Sequence, residues 1–336
     1  MSIDSTNSMN ISESATAQLS DIQAPLQVDQ KTLDDYYAFF TGKEVDMLPY
    51  VYAEPSEAYS ELVKNNPDYY LFRDEVNTIA FNEDSFKKYL SDVTDIIEIG
   101  PGCDYTVKHK TAPILDYTIS LQRYYAIDYS ECYLRDACIA VQRFAEADVD
   151  VLGIKADIMN GTIELPDTPH GKKCVLFLGS TLGNFTNTQQ SHAINHIALI
   201  TNPGDVLVIT ADTNMDEKKV LKAYDNAYDD MLISGIFKHF ARIYPEFLQY
   251  IHYFQLKYSW DKSEKTVSAY FLATHDLHLN FRDGRIAQIT KNQKFYAARS
   301  RKFDIQYISS LLENKFDISK TLAYSGKTKT FICKRI

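Results

Sequence analysis

Apolar residues recur in two rhythms along this chain. Between Asp95 and Ala211 five short runs stand out: Asp95-Ile96-Ile97-Glu98-Ile99, Tyr124-Tyr125-Ala126-Ile127, Val149 to Ile154, Lys173 to Leu178 and Val206 to Ala211. Each is bounded by Gly, Asp or Pro, as buried strands are. Between them lie segments with helical spacing, such as Ser130 to Ala145 and Gln189 to Ile200, the last closed by the turn Asn202-Pro203-Gly204-Asp205. Strands apolar on both faces that alternate with helices predict a doubly wound parallel sheet.

After Ala211 the rhythm changes. Residues 213 to about 245 read as helix, Tyr250 to Tyr258 and Thr266 to Phe281 as strands, and Asp283-Gly284 as a hairpin turn before Arg285 to Ile289. A helix over Asp304 to Glu313 and a hairpin from Asp317 to Tyr324 and Thr328 to Lys334, joined through Ser325-Gly326, complete a seven-stranded α/β sheet. Ahead of the first strand come helix candidates at Asp34 to Phe40 and Asp84 to Leu90, with a Tyr-dense stretch between them from Tyr50 to Arg73. Residues 1–30 contain no Lys, Arg or aromatic residue and are rich in Ser, Thr, Asp and Gln, the composition of a disordered tail. The resulting division is a tail (1–30), a substrate domain made of 31–88 and 213–300, and a cofactor domain made of 89–212 and 301–336.

Composition narrows the classes. A formal net charge of -10 over 336 residues repels phosphate backbones and anionic lipid, so neither a nucleic-acid nor a membrane partner is expected. The 5 cysteines include no C-x-x-C pair, which argues against a disulfide framework or a zinc knuckle. No apolar run reaches the roughly 18 residues of a membrane span, and no signal-peptide pattern opens the chain. The expectation is a cytoplasmic protein, monomeric and without a metal.

Parallel sheets bind ligands beyond the carboxyl ends of their strands. The residues there are Gly100-Pro101-Gly102 after the first strand, Asp128 after the second, Asp157 after the third and Gly179-Ser180-Thr181-Leu182-Gly183-Asn184 after the fourth. Gly100 and Gly102 allow backbone to approach a ligand, and Asp128 stands where an acid would accept from ribose hydroxyls. Asp157 could accept from an adenine amino group. A dinucleotide fingerprint needs a third Gly, but here the chain continues Cys103-Asp104-Tyr105-Thr106-Val107-Lys108, with an acid that would repel phosphate. S-adenosylmethionine, with ribose and adenine but no phosphate, fits better than NAD. Gly100, Gly102, Lys108, Asp128, Asp157 and Gly179 form the expected cofactor set. Asn184 can both donate and accept, which suits a zwitterionic amino acid.

The stretch Gly-Ser-Thr-Leu-Gly-Asn-Phe, with Ala223-Tyr224-Asp225-Asn226 about 40 residues on, resembles the histidine-specific S-adenosylmethionine methyltransferases of ergothioneine biosynthesis. Looser matches fall in the same order: Tyr52, Asn66 to Arg73, Glu98 to Gly102 and Asp128-Tyr129-Ser130. The resemblance implies a Rossmann-like class I methyltransferase sheet with a second, smaller α+β substrate domain. It implies α-amino methylation of a free amino acid, with S-adenosylhomocysteine as the other product. It also implies that Asn184 and Tyr224 hold the backbone groups of the amino acid and, with Tyr52, organise the reaction, that Tyr52 and Tyr69 line the substrate, and that Ser300 lies near its side chain.

Two positions depart from the family. Its T-E-x-S-x-K segment corresponds to Ala297-Ala298-Arg299-Ser300-Arg301-Lys302, which keeps the Ser and replaces the imidazole-reading Glu by Ala298. A Met of the family's E-M-x-L strand falls at Ala269. Loss of a charge-assisted hydrogen bond worth roughly 1.5 to 3 kcal/mol, together with the freed volume, points to an aromatic amino acid bulkier than histidine, such as tryptophan, a derivative of it, or tyrosine. The alternatives are histidine itself, or a cofactor-binding protein without amino-acid methylation. His192 and His196 lack the Glu of a metalloprotease helix.

Overall fold

The β-branched run around Asp95 folds as β1 (Val93–Ile99), an inner strand of the main sheet in a computed structural model that describes residues 28–53, 57–159, 163–166 and 171–336. Most of the segment expected as a tail lies outside the described residues. Around β1 assemble β2 (Arg123–Asp128), β3 (Asp150–Lys155), β4 (Lys172–Phe177) and β5 (Val206–Asp212), followed late in the chain by β11 (Phe316–Leu322) and β12 (Thr328–Arg335). The order is β11-β12-β5-β4-β1-β2-β3. β1 to β5 pair in parallel and β12 runs antiparallel to both β5 and β11. This is the seven-stranded class I methyltransferase sheet anticipated above. Ile96, Tyr124, Cys174, Leu176 and Val208 are fully buried in its core, as strands covered on both faces require.

The described chain divides into two compact units. One holds the seven-stranded sheet, residues 57–229 as far as described, Trp260–Val267 and Arg299–Ile336. The other holds residues 28–53, Asp230–Ser259 and Ser268–Ala298. This boundary differs from the expected division: residues 57–88 and 213–229, read as substrate domain, fall with the sheet. The cause is packing by the helix Tyr70–Ala80. Its Asp74 accepts from Ser325 N at 3.0 Å and from the amide and hydroxyl of Thr328, each at 2.8 Å, which ties it to the β11–β12 turn.

The second unit is built on aromatic rings. The helices Gln30–Phe40 and Gly235–Ile243 bring together Tyr36, Phe40, Phe237 and Phe240, and Phe237 stacks on Phe271 with centroids 4.0 Å apart. Tyr36 Oη donates to the Ile236 carbonyl at 2.9 Å, so the buried phenol is satisfied. A three-stranded sheet has the order β10-β7-β6, from β6 (Phe254–Asp261), β7 (Thr266–Ala273) and β10 (Lys294–Arg301); β8 (Leu277–Asn280) and β9 (Ile286–Ile289) form a hairpin. Here the sequence reading needs correction. The strand expected from Tyr250 begins only at Phe254, because Pro245–Tyr253 is a 3-10 helix. Lys294–Arg301, for which no strand is expected, forms β10, with Phe295 and Ala297 buried.

Candidate functional site

Parallel pairing places the ends of β1 to β5 along one edge of the sheet, and the residues that follow them build the site. Gly100 N donates to the Ile127 carbonyl at 2.8 Å, fixing the loop after β1 to the end of β2. Gly100 and Gly102 both have positive φ, 66° and 78°. Their reasons differ. A Cβ at Gly102 would come within 2.7 Å of Thr106 Oγ1, so this glycine makes room for the protein itself. A Cβ at Gly100 would meet nothing closer than Thr181 at 3.9 Å, so its face is open toward the loop after β4. β1 and β4 are neighbours from which the chain proceeds to opposite sides of the sheet, the switch point at which such sheets take ligands.

The loop after β4 is strained. Gly179 has φ 72° and Ser180 has φ 54°, unusual for a residue with a side chain. Ser180 is 3% exposed, and its hydroxyl has no hydrogen-bond partner among the described residues. Strain together with an unsatisfied buried hydroxyl makes this turn a candidate ligand position. Glu75, from the helix Tyr70–Ala80, accepts from Gly179 N at 2.8 Å and lies 3.1 Å from Lys110 Nζ. Lys108 is exposed, and Lys110 is the lysine buried at this edge. Two residues along a helical segment turn a side chain by about 200°, so only one of the two can face the sheet. That segment, Asp104–Thr106, Val107–Thr111 and Ala112–Asp116, has a π turn in its middle.

Asp128 ends β2, and its Oδ1 accepts from Ser130 N at 2.8 Å. Burial pushes its pKa up to about 6, against the opposing effect of the Ser130 and Tyr129 amides. Asp157, after β3, accepts from Met159 N at 2.8 Å. Below the loop, Glu98 is buried and raised in pKa by burial, while Tyr124 and Thr111 donate to it.

A second cluster gathers at the end of β5. Asp212 and Lys302, both fully buried, are 2.8 Å apart. Lys302 Nζ also donates to Tyr224 Oη at 2.9 Å and to Ser300 Oγ at 3.0 Å, and those two hydroxyls lie 2.9 Å from each other. Tyr70 Oη donates to Asp212 at 2.7 Å, and Asn214 N donates to its other oxygen at 3.0 Å. Burial alone disfavours the Lys302 charge, but Asp212 and Tyr224 more than reverse this, so its pKa lies above the ordinary lysine value. Burial raises the Tyr224 phenol although Lys302 opposes it, so Tyr224 is neutral near pH 7.

The structure therefore brings Tyr224 and Ser300 into direct contact, with Tyr69 edge-on to the Tyr224 ring at 6.1 Å. Gly183, the residue before Asn184, sits where a Cβ would be 2.7 Å from the Arg301 carbonyl and 3.5 Å from Ser300 Oγ, so the Asn184 loop packs on the same segment. Tyr52, Ala269 and Ala298 belong to the other unit: Tyr52 caps the helix Leu48–Val51, Ala269 is buried on β7, and Ala298 is half-buried on β10. Sequence reasoning missed Lys302, Asp212, Tyr70, Glu75 and Lys110. The Lys of the T-E-x-S-x-K resemblance was the available signal for Lys302. Among the described residues no group of His, Cys, Asp and Glu could hold a metal ion, and no helix is long and apolar enough to cross a membrane.

Comparison with known proteins bears on this site. The profile of the family described as histidine-specific methyltransferase, SAM-dependent, matches residues 19–332. The histidine N-alpha-methyltransferase of Mycolicibacterium smegmatis is 31% identical over 138 residues, 39% of this chain and 40% of that protein. The enzyme of the same name from Mycobacterium tuberculosis is 28% identical over 134 residues, with the same two shares. The chain thus spans about 40% of the length of these relatives. Among solved structures, the CcbJ methyltransferase of Streptomyces caelestis superposes with a TM-score of 0.49 at 11% identity, covering 87% of this chain and 99% of that one.

Proposed function

The chain belongs to the histidine-specific, SAM-dependent methyltransferase family, and from that premise we propose that it methylates the α-amino nitrogen of a free amino acid. The observation that carries this reading is the meeting of Tyr224, Ser300 and the Gly183–Asn184 turn within one unit, beside the open Gly100 face. The cofactor brings a sulfonium-bound methyl group and leaves as S-adenosylhomocysteine.

The residues present fit that cofactor. Gly100 offers a bare backbone, Asp128 an acceptor for ribose hydroxyls, Asp157 an acceptor for the adenine amino group, and Lys110 a cation at the Gly179 turn for the amino-acid end. Gly102, Gly179 and Lys108 complete the cofactor set read from the sequence. The reaction needs alignment more than it needs a base. The amine lone pair forms the new N–C bond, the C–S bond breaks toward sulfur, and the ammonium proton departs to water beforehand. Asn184 and Tyr224 orient the amino acid, with Tyr69 beside the Tyr224 ring. Tyr224 is neutral and takes a hydrogen bond from Lys302, so it binds and orients rather than removing the proton.

For the side chain we propose an aromatic residue bulkier than histidine, because the positions that by resemblance read imidazole are Ala298 and Ala269. Histidine is the second reading, favoured by the names of the relatives. Incubating the protein with labelled S-adenosylmethionine and each of the twenty amino acids separates them. Tryptophan or tyrosine as best acceptor supports the first reading, and histidine above all others overturns it.

A further inference from the structure

Lys302 and Asp212 face one another across two strand ends with no exposure to solvent. An ion pair in such a place contributes little net stability compared with apolar residues of the same shape, so its retention calls for another reason. The reason lies in counting protons.

The ammonium of Lys302 has three N–H bonds and three acceptors: Asp212 at 2.8 Å, Tyr224 Oη at 2.9 Å and Ser300 Oγ at 3.0 Å. It is fully used. Asp212 in turn accepts from Tyr70 at 2.7 Å and from the Asn214 amide at 3.0 Å, so its carboxylate cannot swing away from Lys302 without breaking both. The hydroxyls of Tyr224 and Ser300 carry two protons between them, and one is shared in their 2.9 Å contact. Neither can donate to Lys302, which has no lone pair. One O–H is therefore left over, whichever way the shared bond runs, and it has to find an acceptor outside the cluster.

We propose that Lys302, fixed by Asp212, is a positioning residue that commits the Tyr224–Ser300 pair to offer one outward O–H donor to the carboxylate of the amino-acid substrate. This rests on the amino-acid reading above and adds to it where the charge that orders the clamp resides. The amine is not placed there: an ammonium would meet a donor, and a neutral amine would have its lone pair taken by the O–H and so unavailable to the methyl group. The pair favours a carboxylate over a carboxamide, because the O–H bond to a charged oxygen is stronger than the bond to a neutral amide carbonyl.

The test compares histidine with histidinamide, and tryptophan with tryptophanamide, as acceptors for wild type, Lys302→Met/Asp212→Asn and Lys302→Arg. The double variant removes both charges together, so no unpaired ion is buried and the fold persists; retained melting temperature and S-adenosylhomocysteine binding verify this. Wild type should prefer the acid over the amide in kcat/KM by about 10- to 100-fold, the worth of a hydrogen bond to a charged group. The double variant should lose most of that preference through the KM of the acid, with the amide nearly unaffected. Lys302→Arg, which keeps the charge, should recover part of it. A purely structural role would lower acid and amide equally, and an unchanged acid-to-amide ratio in the double variant overturns the proposal. If wild type methylates none of the twenty amino acids while binding the cofactor, the amino-acid reading itself fails and the proposal with it; if another of them is the best acceptor, that acid and its amide replace the pairs named here.

Discussion

Glu75 accepts the amide hydrogen of Gly179 at 2.8 Å while its second oxygen lies 3.1 Å from Lys110, so one carboxylate holds both the strained turn after β4 and the buried lysine beside it. Both partners sit at the switch point of the sheet. Removing the carboxylate strands a buried cation as well as an amide. Glu75→Ala is expected to lower stability by about 3 to 5 kcal/mol, seen as a lower denaturant midpoint. Glu75→Gln keeps the acceptor for Gly179 and should be milder in stability. A cofactor affinity unchanged in Glu75→Gln would argue against Lys110 as part of the cofactor site.

Asp128 gives a pH dependence with a definite sign. Its carboxyl is pushed up to about 6 in the folded protein by burial, above its ordinary value of 3.8. Its stabilising contribution is present below the unfolded value and is lost as pH rises through about 6. Without ligand, wild type should lose stability from pH 4 to 7 more than Asp128→Asn does, as thermal melts would record. Cofactor binding should run the other way, strengthening as pH rises through the same interval because ribose hydroxyls need the carboxylate. Asp128→Asn should bind weakly at every pH.

Asn184→Ala should reduce amino-acid methylation by at least about 100-fold while leaving S-adenosylhomocysteine affinity within a fewfold, since the clamp and the cofactor cradle are different residues. Calorimetry with the cofactor product, beside a turnover assay, distinguishes the two. Retained activity would refute the clamp.

Gly183→Ala places a methyl 2.7 Å from the Arg301 carbonyl, and a backbone atom cannot move aside as a flexible side chain can. A cost of about 1 to 3 kcal/mol is expected, with a larger fall in activity than in cofactor binding. A variant as active as wild type would show that the turn does not need this close approach.

Ala298→Glu introduces the acid that, by the resemblance, would read imidazole at this position. It should raise kcat/KM for histidine relative to tryptophan by about tenfold or more. No change in that ratio would remove Ala298 from the specificity argument.

The sheet was legible because β1, β2, β4 and β5 are short, mostly apolar runs closed by Gly or Asp and largely buried; β3, at the edge, buries none of its residues and was legible only from Val151 and Ile154. The β11–β12 hairpin was legible through Ser325-Gly326. β10 was not, because Lys294, Arg299 and Arg301 mask the alternation of Phe295 and Ala297. Asn184 and Tyr224 were singled out by resemblance, but the hydrogen-bond network around Tyr224 could not be. Asp212, Lys302 and Tyr70 are brought together by folding from three distant segments, and no spacing announces a buried ion pair. Lys108 was chosen over Lys110 for a similar reason: which of two nearby lysines faces the sheet depends on the rotation of a helical segment with a π turn in it.

In the proposed reaction the methyl group goes to the α-amino nitrogen of a free amino acid. The most direct measurement is tandem mass spectrometry of the product formed with deuterium-labelled S-adenosylmethionine from the best of the twenty acceptors. The account predicts that the label stays with the fragment containing the α-nitrogen. Label found on a side-chain ring nitrogen or hydroxyl would contradict it.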